Sequence, residues 1–313
     1  MKISIIIPVH NAEKYLERCV LSVMSALEAA RLVEKTSTRA EIVLVLNGST
    51  DRSKEICKKF AKKYPLALRV IECQKSSAGA ARNLGVLEAK GEFIWFVDAD
   101  DAVAEDAVVE LLRAGRGMDL VMTGAERIYP DYTDYLSAVL PGKNMKSRFI
   151  RYGSGPWQFL VRRKWWVEQD FKFREDIIHE DMELMSSLIL YTKKFNAVDR
   201  PLYFYYQNPD SVLHQKKWNE HEFDIFPALE GLYRRFEKAG AVKKHHDELE
   251  WFFIWNLLID ASMKHFAKFP EGKAGFMKNR KMLRRYFPKW RRNRFLKEKS
   301  LKFRLRCDLN YWR

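Results

Sequence analysis

The residues best suited to chemistry form a short acidic string, Asp98-Ala99-Asp100-Asp101, directly after the apolar run 93–97 (FIWFV). Carboxylates are hard oxygen donors, and at the end of a buried strand they suit Mg2+ or Mn2+, which bind through one or two carboxylates plus phosphate oxygens. If the chain is still extended there, side-chain alternation puts Asp98 and Asp100 on a common side. The competing reading is helix capping by Asp100 or Asp101 ahead of a helix over 102–112. A second acidic pair, Glu180-Asp181, precedes Met182, Leu184, Met185, Leu188 and Ile189 at helical spacing, where an acid also complements the helix dipole. No Ser/His/Asp or Cys/His arrangement stands out. The cysteines, Cys19, Cys57, Cys73 and Cys307, include no C-x-x-C pair, which argues against a zinc ribbon or disulfide scaffold and fits a reducing cytoplasm.

The acids must be held by something, and the front of the chain reads as alternating strands and helices. Residues 3–7 (ISIII) and 42–46 (IVLVL) are β-branched, apolar runs of the kind buried parallel strands show. Pro8 is expected to end the first, and Asn11 to cap a helix whose apolar side is Leu16, Cys19, Val20, Val23, Met24 and Leu27. The turn Asn47-Gly48-Ser49-Thr50-Asp51 follows the second. Further strands are expected at 68–71, 93–97 and near 120–123, with helices around 56–60, 81–89 and 105–112. This is an α/β domain with a mostly parallel sheet. Ligands of such sheets bind beyond the carboxyl ends of the strands, which here are 8–11, 47–51 and 98–101. Beyond residue 126 the rhythm changes. Residues 129–156 read as an irregular surface segment, 157–166 as helical or mixed, 180–191 as a helix, 202–206 as an aromatic strand, and 220 onward as helical.

A chain of 313 residues and 37.0 kDa holds one large or two modest domains at roughly 150 residues each. Its 47% hydrophobic content excludes wholesale disorder. The opening residues lack a signal-peptide layout, and no apolar stretch is long enough to span a membrane. The net charge of +15 is concentrated: residues 273–313 hold 16 Lys and Arg against two acids, Glu298 and Asp308. There Phe276, Met277, Met282, Leu283, Tyr286, Phe287 and Trp290 interleave with Lys278, Arg280, Lys281, Arg284 and Arg285, mostly on one helical face. That is the composition of an interfacial membrane helix, so an anionic membrane surface is favoured over nucleic acid as the partner of this tail. The alternative is a solvated helix packed on the globule.

Three blocks, SIIIPVHNAEKYLERCVLSV, EIVLVLNGSTDRSKEI and AGAARNLGVLEAKGEFIWFVDADD, resemble in order and spacing the nucleotide-binding half of family 2 glycosyltransferases with a GT-A fold, as found in bacterial surface-polysaccharide synthesis. The match continues more weakly through HEDMEL (179–184) and YFYYQNPDSVLHQ (203–215). The resemblance covers roughly the first 215 residues and implies a Rossmann-like, mostly parallel sheet flanked by helices and holding a nucleotide-sugar; the helical basic C-terminal extension lies outside it. It implies a glycosyltransferase domain over 1–215, with a nucleotide half at 1–125 and an acceptor half at 126–215. A helical region would follow at 216–313, its basic tail starting near 273.

Carried over by residue, the resemblance makes Pro8, Val9 and His10 line a nucleoside pocket with Glu13 nearby. Asn47 stands where many relatives carry an aspartate that accepts the uracil N3–H; an amide oxygen still accepts, without charge assistance. Arg82 counters phosphate charge or packs under the sheet. Asp98, Ala99 and Asp100 bind the nucleotide-sugar, with Asp100 as the direct ligand of Mn2+ or Mg2+, Asp98 contacting the ribose or a metal-bound water, and His214 completing the metal or diphosphate site. Asp181 is the base: an acceptor hydroxyl is a poor nucleophile until a carboxylate takes its proton. Its neighbour Glu180 would meet the acceptor, and Trp157, Trp165 and Trp166 form either a sugar-stacking acceptor wall or part of the core. The implied reaction is a metal-dependent inverting transfer from a nucleotide-sugar, UDP-linked as the expectation, to a saccharide or lipid-linked saccharide, by a cytoplasmic protein peripheral on the inner face of the cell membrane. A sugar-nucleotide pyrophosphorylase is disfavoured because no glycine-rich loop follows the first strand. A non-catalytic GT-A-like module anchored to membrane or nucleic acid by its tail is the remaining alternative.

Overall fold

A computed structural model of the chain describes residues 2–34, 40–153, 155–208 and 218–313. In chain order the elements are β1 (Ile3–Val9), α1 (Leu16–Glu34), β2 (Ala40–Leu46), α2 (Ser53–Lys63), β3 (Leu68–Glu72), α3 (Ala78–Glu88), β4 (Phe93–Phe96), β5 (Ala102–Val103), α4 (Ala107–Ala114), β6 (Leu120–Ile128), β7 (Thr133–Leu136), α5 (Met145–Tyr152), β8 (Phe159–Arg162), α6 (Arg163–Glu168), α7 (Glu180–Met185), β9 (Phe195–Tyr206), α8 (Ile225–Lys238), α9 (His246–Ile254), α10 (Lys273–Tyr286), α11 (Arg294–Lys297) and α12 (Leu301–Trp312). They fall into two compact units. One takes residues up to 143, 155–176 and 191–208; the other takes 144–153, 177–190 and 218–313.

The first unit is built on one mixed sheet of order β3-β2-β1-β4-β8-β6-β9-β5, with β7 added to β6. The first four strands in that order are mutually parallel, while β8 joins β4 and β6 antiparallel. The apolar runs of β1 and β2 are buried almost throughout, as strands covered on both faces must be. Helix α3 lies close to the sheet at Gly85, where a Cβ would overlap Ile6 Cγ2 of β1; at Gly79 it meets the segment after α6 instead, where a Cβ would overlap the carbonyl oxygen of Arg174.

The chain leaves β1 to build β2 and β3 on one side, then places β4 on the other. β1 and β4 therefore flank the point where the winding reverses, where doubly wound sheets form a crevice. Their ladder ends at Ile6–Phe96, whereas β1 continues alongside β2 through Pro8–Val45 to Val9–Leu46. The two strands part at their carboxyl ends. Pro8 does not end the strand, because its missing N–H falls where β4 has already left the ladder.

Local readings need correction elsewhere. Asn11 caps no helix: it sits at φ 47° and its side-chain oxygen accepts from Thr50 N–H at 2.8 Å. Asp100 and Asp101 cap none either, since β5 follows them and pairs with β9, and α4 begins only at Ala107. The segment 129–156, expected to be irregular, contains β7 and α5. The helix expected over 180–191 ends at Met185, with one tighter turn at Leu188–Leu190.

The second unit is helical, with an aromatic interior that includes Phe253, Phe266, Phe287 and Trp290. Trp255–Phe266 is wound as a π-helix. Its wider turns free carbonyl groups, which must find donors: Asn279 donates to Leu257 O and Asn310 to Leu258 O, each at 2.7 Å. The apolar residues expected to face a membrane belong mostly to this interior. Phe276, Met282, Leu283, Phe287 and Trp290 are buried, and only Met277 of the expected apolar face is well exposed. The amphipathic pattern of α10 thus describes packing against the unit. No helix among the described residues is long and apolar enough to cross a membrane.

Candidate active site

At the parted ends of β1 and β4 the chain delivers the loops 10–15, 47–53 and 98–101. The first two are bound to each other by side chains. Ala12 N–H donates to Ser53 Oγ at 2.8 Å, Glu13 N–H to Asp51 Oδ2 at 2.9 Å, and Arg52 N–H to Glu13 Oε2 at 3.0 Å. The exposed His10 ring places Nδ1 2.7 Å from Asn47 O. Val9 keeps its side chain in the core and offers its carbonyl, which accepts from Asn47 N–H and Ser49 Oγ. Pro8 is half-buried beside it. Asn47 is buried, and its side-chain oxygen accepts Ser77 N–H at 2.8 Å, so one of that oxygen's two lone pairs already serves the start of α3.

The acidic string is held from several sides. Arg82, on α3 and nearly fully buried, donates from Nη2 to Asp98 Oδ1 at 2.9 Å. Asp101 is fully buried; it accepts from Tyr203 Oη at 2.6 Å and Tyr206 N–H at 2.8 Å. Tyr203 Oη in turn accepts from Asp98 N–H at 3.1 Å. Arg18, on α1, donates to Asp100 O and lies 3.5 Å over the Tyr206 ring. Ala99 is buried within this turn.

Burial first, and then the Asp98 and Asp100 charges, hold the Asp101 carboxyl well above the usual carboxylate range. The Asp100 carboxyl is pushed up to about 6, by burial and then by the Asp98 charge, against hydrogen bonding from Asn208. Crowded, partly desolvated carboxylates at a strand end are an arrangement that a cation relieves. With Asp101 committed to β9, Asp98 and Asp100 are the hard oxygen donors left, and they fit a divalent ion such as Mn2+ or Mg2+.

Trp157 does not line a sugar-stacking wall. It is buried, its ring stacks on Tyr203 at 4.6 Å and Tyr205 at 5.4 Å, and its carbonyl accepts from Trp95 Nε1. Trp165 and Trp166 are buried too, packed on Phe171. Trp157 belongs to the core that backs the acidic string. Glu180 and Asp181 lie in the helical unit, on the first turn of α7, Glu180 buried and Asp181 half-buried. Burial lowers the pKa of the adjacent His179. His214 falls outside the described residues. Arg18 and the Tyr203–Asp101 pair are missed by sequence reasoning; Tyr203 and Tyr205, two apart on one strand, were the available signal.

The family model described as Glycosyl transferase family 2 matches residues 4–164. Among curated proteins, the chain is 29% identical over 262 residues to "Uncharacterized glycosyltransferase EpsJ" of Bacillus subtilis (strain 168), covering 77% of this chain and 72% of that one. It is 25% identical over 242 residues to "Minor teichoic acid biosynthesis protein GgaA" of the same organism, covering 70% of this chain and 51% of that one. Among solved structures, S. aureus TarS 1–349 in complex with UDP-GlcNAc superimposes with a TM-score of 0.76 at 19% identity, over 99% of this chain and 89% of that one. At that identity the likeness shows the shared fold alone.

Proposed function

The chain belongs to glycosyltransferase family 2, and from that premise we propose that it moves a sugar, with inversion, from a UDP-sugar to a hydroxyl of a saccharide or lipid-linked saccharide in cell-surface polysaccharide or lipopolysaccharide synthesis, at the cytoplasmic face of an anionic membrane. The observation that carries this reading is the pair Asp98–Asp100 at the winding reversal between β1 and β4, where sheets of this kind take nucleotides. The teichoic-acid role in the name of GgaA and the UDP-GlcNAc held by TarS support the donor and acceptor classes.

In this reading Pro8, His10 and Glu13 border the nucleoside, Asn47 keeps one amide lone pair for the base, and Asp98 and Asp100 would hold Mn2+ or Mg2+. A bound divalent ion supplies Lewis-acid stabilisation to the departing diphosphate. Arg82 fixes the Asp98 carboxylate, and Asp101 with Tyr203 fixes the turn that carries Asp100. Asp181 takes the acceptor proton while the acceptor oxygen bonds to the anomeric carbon and the bond from that carbon to the diphosphate oxygen breaks. One displacement inverts the centre, and the nucleoside diphosphate leaves.

The test is sugar transfer from a panel of nucleotide-sugars with wild type, Asp181→Asn and Asp100→Asn, each checked for folding by circular dichroism. Loss of a base typically costs 10²–10⁴-fold in rate. Turnover of Asp181→Asn equal to wild type removes the base assignment, and turnover by Asp100→Asn that is unchanged and indifferent to chelator removes the metal.

A further inference from the structure

Helix α12 buries Cys307, Asn310 and Tyr311 in the helical unit. Its other side is the reverse of what water selects. Leu301, Leu305, Leu309 and Trp312 are 63, 58, 55 and 59% exposed. At 3.6 residues per turn the four fall within an arc of about 80°, opposite the buried residues. Surface helices normally present charge there, and a contiguous exposed apolar stripe marks an interaction surface. Lys302, Arg306 and Arg313 border the stripe on one margin and Arg304 on the other. None of the four makes an ion pair among the described residues, although other cations of the tail do, such as Arg291 with Asp308 and Arg294 with Glu248.

A second feature meets this stripe. Met277, Arg280, Lys281 and Arg284 of α10 line a groove of about 350 Å³. The Arg280 guanidinium lies 5.5 Å from the Trp312 ring, so the cationic groove and the apolar stripe join at that indole. Arg280 Nε is buried with no hydrogen-bond partner among the described residues.

We propose that this face seats the protein on an anionic phospholipid bilayer, with Leu301, Leu305, Leu309 and Trp312 entering the headgroup–acyl boundary and Arg280, Lys281 and Arg284 taking lipid phosphates. Charge complementarity selects the occupant. Residues 273–313 carry a net +14, so a second copy of the same face would be repelled. A nucleic acid would use the cations and leave the leucines in water. Leu and Trp beside Lys and Arg suit an interface that is apolar below and anionic above. The proposal deepens the membrane-side placement given above and relocates the contact from α10's buried apolar residues to the outer side of α12.

The experiment is co-sedimentation of the full chain with vesicles of phosphatidylglycerol and phosphatidylcholine in equal parts, against vesicles of phosphatidylcholine alone. Binding is expected to the first only and to fall at high salt. Leu305→Asp with Leu309→Asp should lower partition at least tenfold, and Arg280→Gln with Lys281→Gln and Arg284→Gln about tenfold with a weaker salt dependence. The thermal melt of the leucine pair should match wild type, because both side chains are more than half exposed; the cation set is compared with wild type only where its melt shows it folded, since Arg284 Nε donates to Tyr311 Oη. Neither set should change transfer to a water-soluble acceptor, so failure here leaves the transfer reaction standing. Equal binding to both vesicle types, or folded variants that bind like wild type, overturns the proposal. So does self-association of wild type abolished by Leu305→Asp, which would make the face a contact between copies, or retention on nucleic acid without vesicle binding.

Discussion

The Arg82 guanidinium holds Asp98 Oδ1 at 2.9 Å, so the first acid of the string is fixed by α3, the element directly before the strand that leads into it. Replacing Arg82 by Met leaves a partly buried carboxylate without its cation. Stability should fall by about 2 kcal/mol, less than for a fully buried pair because Asp98 retains contact with water. Transfer should fall roughly 10–100-fold, as expected when a positioning contact is lost. Urea denaturation and initial rates read the two effects separately.

Asp100 gives a prediction of opposite sign for stability and for binding. Its charge crowds Asp98 and the buried Asp101, so Asp100→Asn should raise the metal-free stability by about 1 kcal/mol. The same change should abolish the Mn2+-dependent part of stabilisation by UDP. For wild type at 100 times Kd that stabilisation is about 2.7 kcal/mol. Thermal shifts with and without Mn2+ and UDP measure both.

Glu41, at the start of β2, predicts an acid sensitivity far from the chemistry. Burial pushes its carboxyl up, but hydrogen bonds from Ser4 Oγ, Lys90 N–H and Arg69, together with the Arg69 charge, outweigh that and hold it below the usual 4.5. A carboxylate with a depressed folded-state pKa contributes stability above its unfolded pKa and loses it as pH falls through the folded one. Glu41→Gln should therefore cost about 2 kcal/mol at neutral pH, and the gap from wild type should close as pH falls below 4.5. Denaturant melts across that range check the sign.

Two glycines of α3 should respond unequally to alanine. At Gly79 the added methyl meets the backbone carbonyl of Arg174, which cannot rotate away, whereas at Gly85 it meets the end of the Ile6 side chain. Overpacking of this kind costs about 1–3 kcal/mol; Gly79→Ala should lie at the upper end and Gly85→Ala at the lower, by comparison of denaturation midpoints.

Much of the fold over residues 1–125 was legible because its strands are buried on both sides and read as continuous β-branched runs, and because polar residues gather where those runs stop. The string 98–101 was legible for the same reason. Long-range pairing was not. Nothing local in Phe159–Arg162 says that it inserts antiparallel between β4 and β6, and nothing near Asp101 names Tyr203, 102 positions away, as its donor. Trp157 left two readings open because an aromatic side chain suits a sugar and a core equally well until its neighbours are known. In α10 the helical periodicity was right, but periodicity does not say whether an apolar side meets protein or lipid.

The lacing of loop 10–15 to loop 47–53 through Ser53, Asp51, Asn11 and Glu13 has an energetic consequence. Because those segments are already tied by their own amides and side chains, a guest settling between them orders little that was previously free. Binding at that rim should therefore carry only a small entropic penalty.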